Sequence, residues 1–123
     1  MATSSKPILV VDDERDNRAL LRRLLEISGF QVVEARDGVE ALEIAETTPP
    51  ALVLLDLFMP RLDGWQTANR LRAIPALAQV PIMVLSASGL RDGAARALAA
   101  GCNDYVSKPI EINDFMRRVR SYL

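Results

Sequence analysis

The sequence contains no histidine, and this absence excludes more than any single motif could. Imidazole zinc sites, Ser-His-Asp and Cys-His catalytic arrangements and a histidine phosphoacceptor all require a residue type the chain does not have. Cys102 is the single cysteine, so an intrachain disulfide is excluded and the residue reads as an apolar filler in a reducing compartment. A basic excess is also missing. Lys plus Arg total 15 against 16 Asp plus Glu, a net charge of -1, which argues against nucleic-acid or membrane partners. No apolar run approaches the roughly 20 residues that span a bilayer. The opening Met1 to Lys6 stretch lacks the apolar segment of a signal peptide, so a cytoplasmic location is expected.

What is present is enough for one globular unit. The chain has 123 residues, 50% of them hydrophobic and 25% charged, a length that predicts one domain with a core of its own. Residues 1–5 read as a flexible arm and residues 6–123 as the domain. Strands are expected at 8–11, 31–35, 51–55, 82–85 and 103–106. The first, third and fourth are continuous and apolar, as strands buried on both faces are; the second and fifth carry polar residues and suit sheet edges.

Helical patterns fill the gaps. From Glu14 to Ser28, Leu20, Leu21, Leu24, Leu25 and Ile27 form an apolar stripe that Gly29 ends. Asp37 with Glu40 has the spacing of a capping box for a helix through Glu46, and Asp63 with Gln66 the same for a helix to about Ala73. Two more are expected from Leu90 to Ala100 and from Ile112 to Leu123, the last with Ile112, Phe115, Met116, Val119 and Leu123 on one face. Gly89 and Gly93 should weaken the opening of the fourth helix. Strand and helix alternate five times, which predicts an α/β fold: an open, doubly wound, five-stranded parallel sheet with helices on both faces.

The polar residues that matter follow the apolar strands. The first strand runs into Asp12 and Asp13, the third into Asp56 and the fourth into Ser86, while Ser107-Lys108-Pro109 follows the fifth. In a parallel sheet these ends share one edge, where open α/β sheets bind ligands. Three carboxylates gathered there repel one another, and a divalent cation relieves the repulsion. Oxygen ligands without His or Cys favour Mg²⁺. With the Lys108 ammonium and the Ser86 hydroxyl, the edge is suited to a phosphoryl group. No Walker or G-x-G-x-x-G loop accompanies it, so the phosphoryl group must come from elsewhere, and Asp is a known acceptor type for covalent phosphate.

With these residues in view, the sequence resembles the receiver domain of two-component response regulators, of the single-domain, chemotaxis-regulator kind. The resemblance spans about Lys6 to Leu123. It is carried by Val10-Val11-Asp12-Asp13-Glu14, by Leu55-Asp56-Leu57-Phe58-Met59-Pro60 with Asp63-Gly64, by Leu85-Ser86-Ala87, and by Gly101, Asp104-Tyr105 and Lys108-Pro109. It implies the flavodoxin-like strand order 2-1-3-4-5. It implies that Asp56 is the phosphoacceptor, becoming a 4-aspartylphosphate, and that Asp13, Asp56 and the Phe58 backbone carbonyl bind Mg²⁺ directly, with Asp12 acting mainly through a metal-bound water. Lys108 would pair with phosphoryl oxygens ahead of a cis Lys108-Pro109 peptide. Ser86 and Tyr105 would be the switch residues that reshape the face of the fourth helix, fifth strand and fifth helix. The implied donor is a sensor histidine kinase or a histidine phosphotransfer protein, docking near the first helix and the turn after the fifth strand. The downstream protein target is not named by the sequence, and the expected state is a monomer, with dimerisation on phosphorylation left open.

The chain is thus expected to be a phosphorelay switch and not a turnover enzyme, catalysing only its own phosphorylation and dephosphorylation. Two other functions stand beside this one. A phosphate-independent interaction module on the same fold would be free to lose an acid or the lysine, and this chain keeps them all. A Mg²⁺-dependent aspartyl-phosphate phosphohydrolase of the haloacid dehalogenase type would carry D-x-D on its first strand, whereas here the acids are adjacent and the isolated Asp56 follows the third.

Overall fold

The structure, a computed structural model, describes residues 6–57, 59, 62–87 and 93–123. The expected arm at 1–5, the Phe58 carbonyl and the weak opening expected at 89–92 lie outside the described residues. In chain order the elements are β1 (Ile8–Val11), α1 (Arg15–Ile27), β2 (Val32–Ala35), α2 (Gly38–Thr47), β3 (Leu52–Asp56), α3 (Gly64–Arg72), a 3-10 turn (Pro75–Leu77), β4 (Ile82–Ala87), α4 (Gly93–Ala99), β5 (Asp104–Lys108) and α5 (Ile112–Ser121). They build one five-stranded sheet in the order β2-β1-β3-β4-β5, with every pairing parallel. This is the flavodoxin-like doubly wound α/β fold, with β2 and β5 at the edges.

Alternation along the strands divides the core in two. Leu9, Val11, Val53, Leu55, Ile82 and Val84 face one side, where α2, α3 and α4 cover them through Ala41, Ala45, Ala68, Leu71 and Ala97. Ile8, Val10, Leu52, Leu54, Met83 and Leu85 face the other, under Leu21 and Leu25 of α1 and Phe115, Met116 and Val119 of α5. Cys102, in the turn between α4 and β5, sits in the first core at 3% exposure, and burial pushes its thiol up to about 11.

The expected elements form, with instructive differences. The apolar stripe of α1 splits: Leu21 and Leu25 are buried, but Leu20 is 59% exposed and Ile27 75% exposed. At about 100° per residue, Ile27 lies some 200° around the helix from Leu25 and cannot share its face. Ile112 and Leu123 are likewise exposed: Ile112 is the first residue of α5, and Leu123 lies beyond its last turn. In α3 the Asp63 carboxylate accepts from Gln66 N and the Gln66 side chain accepts from Asp63 N, a complete capping box. In α2 the first half forms, Glu40 N donating to Asp37, but Glu40 accepts from Arg36 N instead of Asp37 N.

The strands β3, β4 and β5 all run further than their apolar runs. Asp56 pairs with Leu85, Ser86 with Ser107 and Ala87 with Lys108. The change from apolar to polar residues marks where core packing ends, while the hydrogen-bonded ladder continues through the polar residues. Asp56, Ser86 and Lys108 therefore sit on rigid strands rather than in loops.

Candidate functional site

Asp12 follows the last residue of β1, Asp56 ends β3, Ser86 is the penultimate residue of β4 and Lys108 ends β5. Parallel pairing brings all four to the carboxyl edge of the sheet. Asp12 and Ser86 are buried, at 1% and 0% exposure, and Asp56 nearly so, at 8%. Asp13, one residue on, is exposed, as the turn toward α1 requires. Asp12, Asp13 and Asp56 each offer a carboxylate oxygen, and these oxygens lie within 4.8 Å of one another.

The Lys108 ammonium spans two of them. It donates to Asp56 Oδ1 at 3.3 Å and lies 3.7 Å from Asp12 Oδ2. Among the described residues this one ammonium neighbours three carboxylates, two of them buried, and net negative charge remains. The consequence shows at Asp56, whose carboxyl rises from 3.8 to about 6: burial is the main cause, Asp12 adds to it, and Lys108 opposes it. Asp12 Oδ1 accepts from Glu14 N at 2.9 Å, but Asp12 Oδ2 is buried with no hydrogen-bond partner. A buried carboxylate oxygen without a donor is costly. Its position beside two further carboxylates is what a hard divalent cation requires, and the all-oxygen donor set fits Mg²⁺.

Neighbouring residues fix the pocket walls. Gly64 N donates to Leu57 O at 2.7 Å, and a Cβ on Gly64 would come within 2.7 Å of Leu57 Cα and 2.8 Å of Asp56 O. Only glycine lets α3 start this close beneath Asp56. The Lys108-Pro109 peptide is cis, as expected. Tyr105 packs half-buried against the α2–α4 core, with its ring over Gly93 and its hydroxyl buried without a hydrogen-bond partner.

The structure brings together Asp12, Asp13, Asp56 and Lys108, and sets Ser86 on the neighbouring strand end of the same edge, one residue beyond the partner of Asp56. Tyr105 is further back along β5. Sequence reasoning passed over Arg18. Its Nη1 donates to the Asp12 carbonyl at 2.8 Å and its Nε to Glu34 at 3.0 Å. A signal was available: seven residues before Leu25, Arg18 falls on the buried line of α1, where a charged residue needs a partner.

The family model described as the response regulator receiver domain matches residues 8–120. The polar-differentiation response regulator DivK of Brucella ovis is 32% identical over 119 residues, covering 97% of both chains. Among solved structures, the receiver domain of the sensor histidine kinase PA1611 of Pseudomonas aeruginosa superposes with a TM-score of 0.87 at 30% identity, covering 97% of this chain and 98% of that one. That receiver domain holds a magnesium ion coordinated in its active-site cleft. The chemotaxis protein CheY4 of Vibrio cholerae, at 24% identity, shares the fold with a TM-score of 0.90 over 96% of this chain and 98% of its own. Matched over nearly its whole length, the chain belongs to the response regulator receiver domain family.

Proposed function

We propose that the protein is a phosphorelay switch that accepts a phosphoryl group on Asp56 from a phosphohistidine of a sensor kinase or histidine phosphotransfer protein. The observation that carries this reading is the placement of the Asp56 carboxylate: at a strand end, reached from solvent on one side, with Lys108 at 3.3 Å and two further acids beside it. An Asp56 oxygen attacks phosphorus in line, the P–N bond of the donor breaks, and the imidazole leaves with its electron pair and takes up a proton. The product is an acyl phosphate. Lys108, already between Asp56 and Asp12, moves little to meet the phosphoryl oxygens, so the work is positioning and electrostatics.

Asp12, Asp13 and Asp56 are the residues that would hold Mg²⁺, in keeping with the magnesium site of the PA1611 receiver domain. When bound, the ion supplies neutralisation of the crowded carboxylates and of the incoming phosphate. The phosphoryl group adds roughly -1.5 to -2 charge. Ser86 turns its hydroxyl to that charge, Tyr105 changes its seat, and the face of α4, β5 and α5 changes with it, a shift between two existing states.

The donor has a surface to dock on. Leu20, Leu24, Pro109, Ile110 and Ile112 line a groove of about 320 Å³ that ends at Asp12 and Lys108. Leu20 and Ile112 are among the large apolar residues that the core left exposed.

Incubation with Mg²⁺ and acetyl phosphate, followed by intact mass measurement, tests the reading. One phosphoryl adduct is expected on the wild type and none on Asp56→Asn. An adduct that survives in Asp56→Asn, or sustained release of phosphate from unrelated esters, overturns it.

A further inference from the structure

One charged network outside the acidic pocket reaches into it from behind. Arg18 lies on the buried line of α1, its side chain 15% exposed. Its guanidinium bridges two acceptors, the Asp12 carbonyl at 2.8 Å and Glu34 Oε1 at 3.0 Å. Glu34 lies on β2, paired with Val10 two residues before Asp12. Its second oxygen accepts from Arg22 at 2.7 Å, and Arg22 also reaches Glu26 at 3.1 Å. Both Glu34 oxygens are therefore engaged, and the carboxylate holds the Arg18 guanidinium in one orientation.

The need for such a brace follows from the local backbone. The β1 strand ends at Val11, and α1 begins at Arg15 after an N-cap, Glu14, that makes no side-chain cap. The Asp12 amide donates to Ala35 O at 3.1 Å, and its Oδ1 accepts from Glu14 N. Its carbonyl is held by Arg18. With those three groups engaged, one acceptor of Asp12 remains: Oδ2, buried, 3.7 Å from Lys108, without a hydrogen bond. The strut from Glu34 through Arg18 fixes the peptide from which that oxygen projects.

We infer that Arg18, braced by Glu34, is a positioning residue of the acidic pocket that sets its affinity for divalent cations through the orientation of Asp12. The inference rests on reading the pocket as a Mg²⁺ site. It makes a prediction whose sign opposes simple electrostatics. Deleting a positive charge behind a cation site strengthens cation binding if charge is all that the residue contributes. Deleting a strut weakens it, and outer partners of metal ligands typically account for about 10- to 100-fold in affinity.

The test is calorimetric titration of MgCl₂ into wild type, Arg18→Met, Arg18→Lys, Glu34→Gln and Arg22→Met, with melting temperatures recorded in EDTA. Arg18→Met keeps the apolar stem and removes both donors, and should raise the Mg²⁺ Kd by about tenfold. Arg18→Lys cannot bridge both acceptors and should raise it by several-fold. Arg22→Met leaves the Arg18 bond to Asp12 intact and should change Kd by less than about threefold. If Arg18→Met does not fold, Arg18→Lys carries the test: it keeps the positive charge and loses the bridge, so its several-fold weakening cannot come from charge, and Glu34→Gln is expected to follow it. Unchanged or tighter Mg²⁺ binding in the folded Arg18 or Glu34 variants, whatever their melting temperature, overturns the inference. A wild type that binds no Mg²⁺ overturns the reading of the pocket itself, and the flat wild-type titration makes that failure distinguishable from the failure of the strut.

Discussion

At the scale of single residues, Asp56 carries a stability cost that the site imposes. In the metal-free protein, burial raises its carboxyl from 3.8 to about 6, with Asp12 adding to the rise and Lys108 opposing it. The folded chain then binds this proton more tightly than the unfolded chain does. Stability is lost as pH rises through roughly 4 to 6, and the whole loss is present at neutral pH. Asp56→Asn removes the ionising group. In EDTA its melting temperature is expected to exceed that of wild type at pH 7, with the difference shrinking toward pH 4. A difference that is flat across this range contradicts the account. Tyr105 offers a second prediction at this scale. A Cβ on Gly93 would come within 2.6 Å of the Tyr105 ring, so Gly93→Ala should drive the ring outward. The chain has two tyrosines, so the fluorine signals of 3-fluorotyrosine protein can be assigned with Tyr122→Phe. The Tyr105 signal should become accessible to a paramagnetic reagent in Gly93→Ala; continued protection refutes the contact. The acids were legible in the sequence because they follow apolar runs at strand ends, and Lys108 because it follows the fifth strand just ahead of Pro109. Arg18 was legible only as a charge on the buried line of α1; its contact with Asp12, like that of Gly93 with Tyr105, crosses elements that no local pattern joins.

At the scale of elements, local chemistry was readable where its partners are near in sequence. The Asp63 and Gln66 box is formed as its spacing implied. Asp63→Ala should cost about 1 kcal/mol and lower the melting temperature by about 4 °C in a scan, with the phosphoryl adduct retained. Strand ends were less readable. The expected β4 stopped at Leu85, yet its ladder runs on to Ala87 because Ser86 and Ser107 continue the backbone pairing with no apolar pattern to announce it. The stripe on α1 was over-read for a related reason. Composition shows which residues are apolar, but the sheet beneath α1 accepts only the line through Leu21 and Leu25. The leucine left outside, Leu20, borders the groove proposed for the donor.

At the scale of the whole molecule, one topological fact organises the rest. Five parallel strands end together, so residues 12, 13, 56, 86 and 108 meet at one edge although they are far apart in sequence. The fold was legible because the βα alternation is regular and the strands at the two sheet edges are the more polar ones. The same topology gathers three acids with one lysine, and a bound cation should therefore stabilise the folded state as a whole. MgCl₂ at ten times its Kd should add about 1.4 kcal/mol to wild type and raise its melting temperature. The increment should largely vanish in Asp13→Asn and Asp56→Asn; an equal increment in all three would place the ion elsewhere.

The lone thiol turns this architecture into an instrument. Cys102 is 3% exposed beneath the joint between α4 and β5, and burial keeps it protonated up to about 11. The thiolate is the reactive form, so an alkylating dye at mild pH can mark this sulfur only in molecules whose α4–β5 joint has come apart. Labelling speed is thus a native stopwatch for that joint, available without introducing any foreign probe.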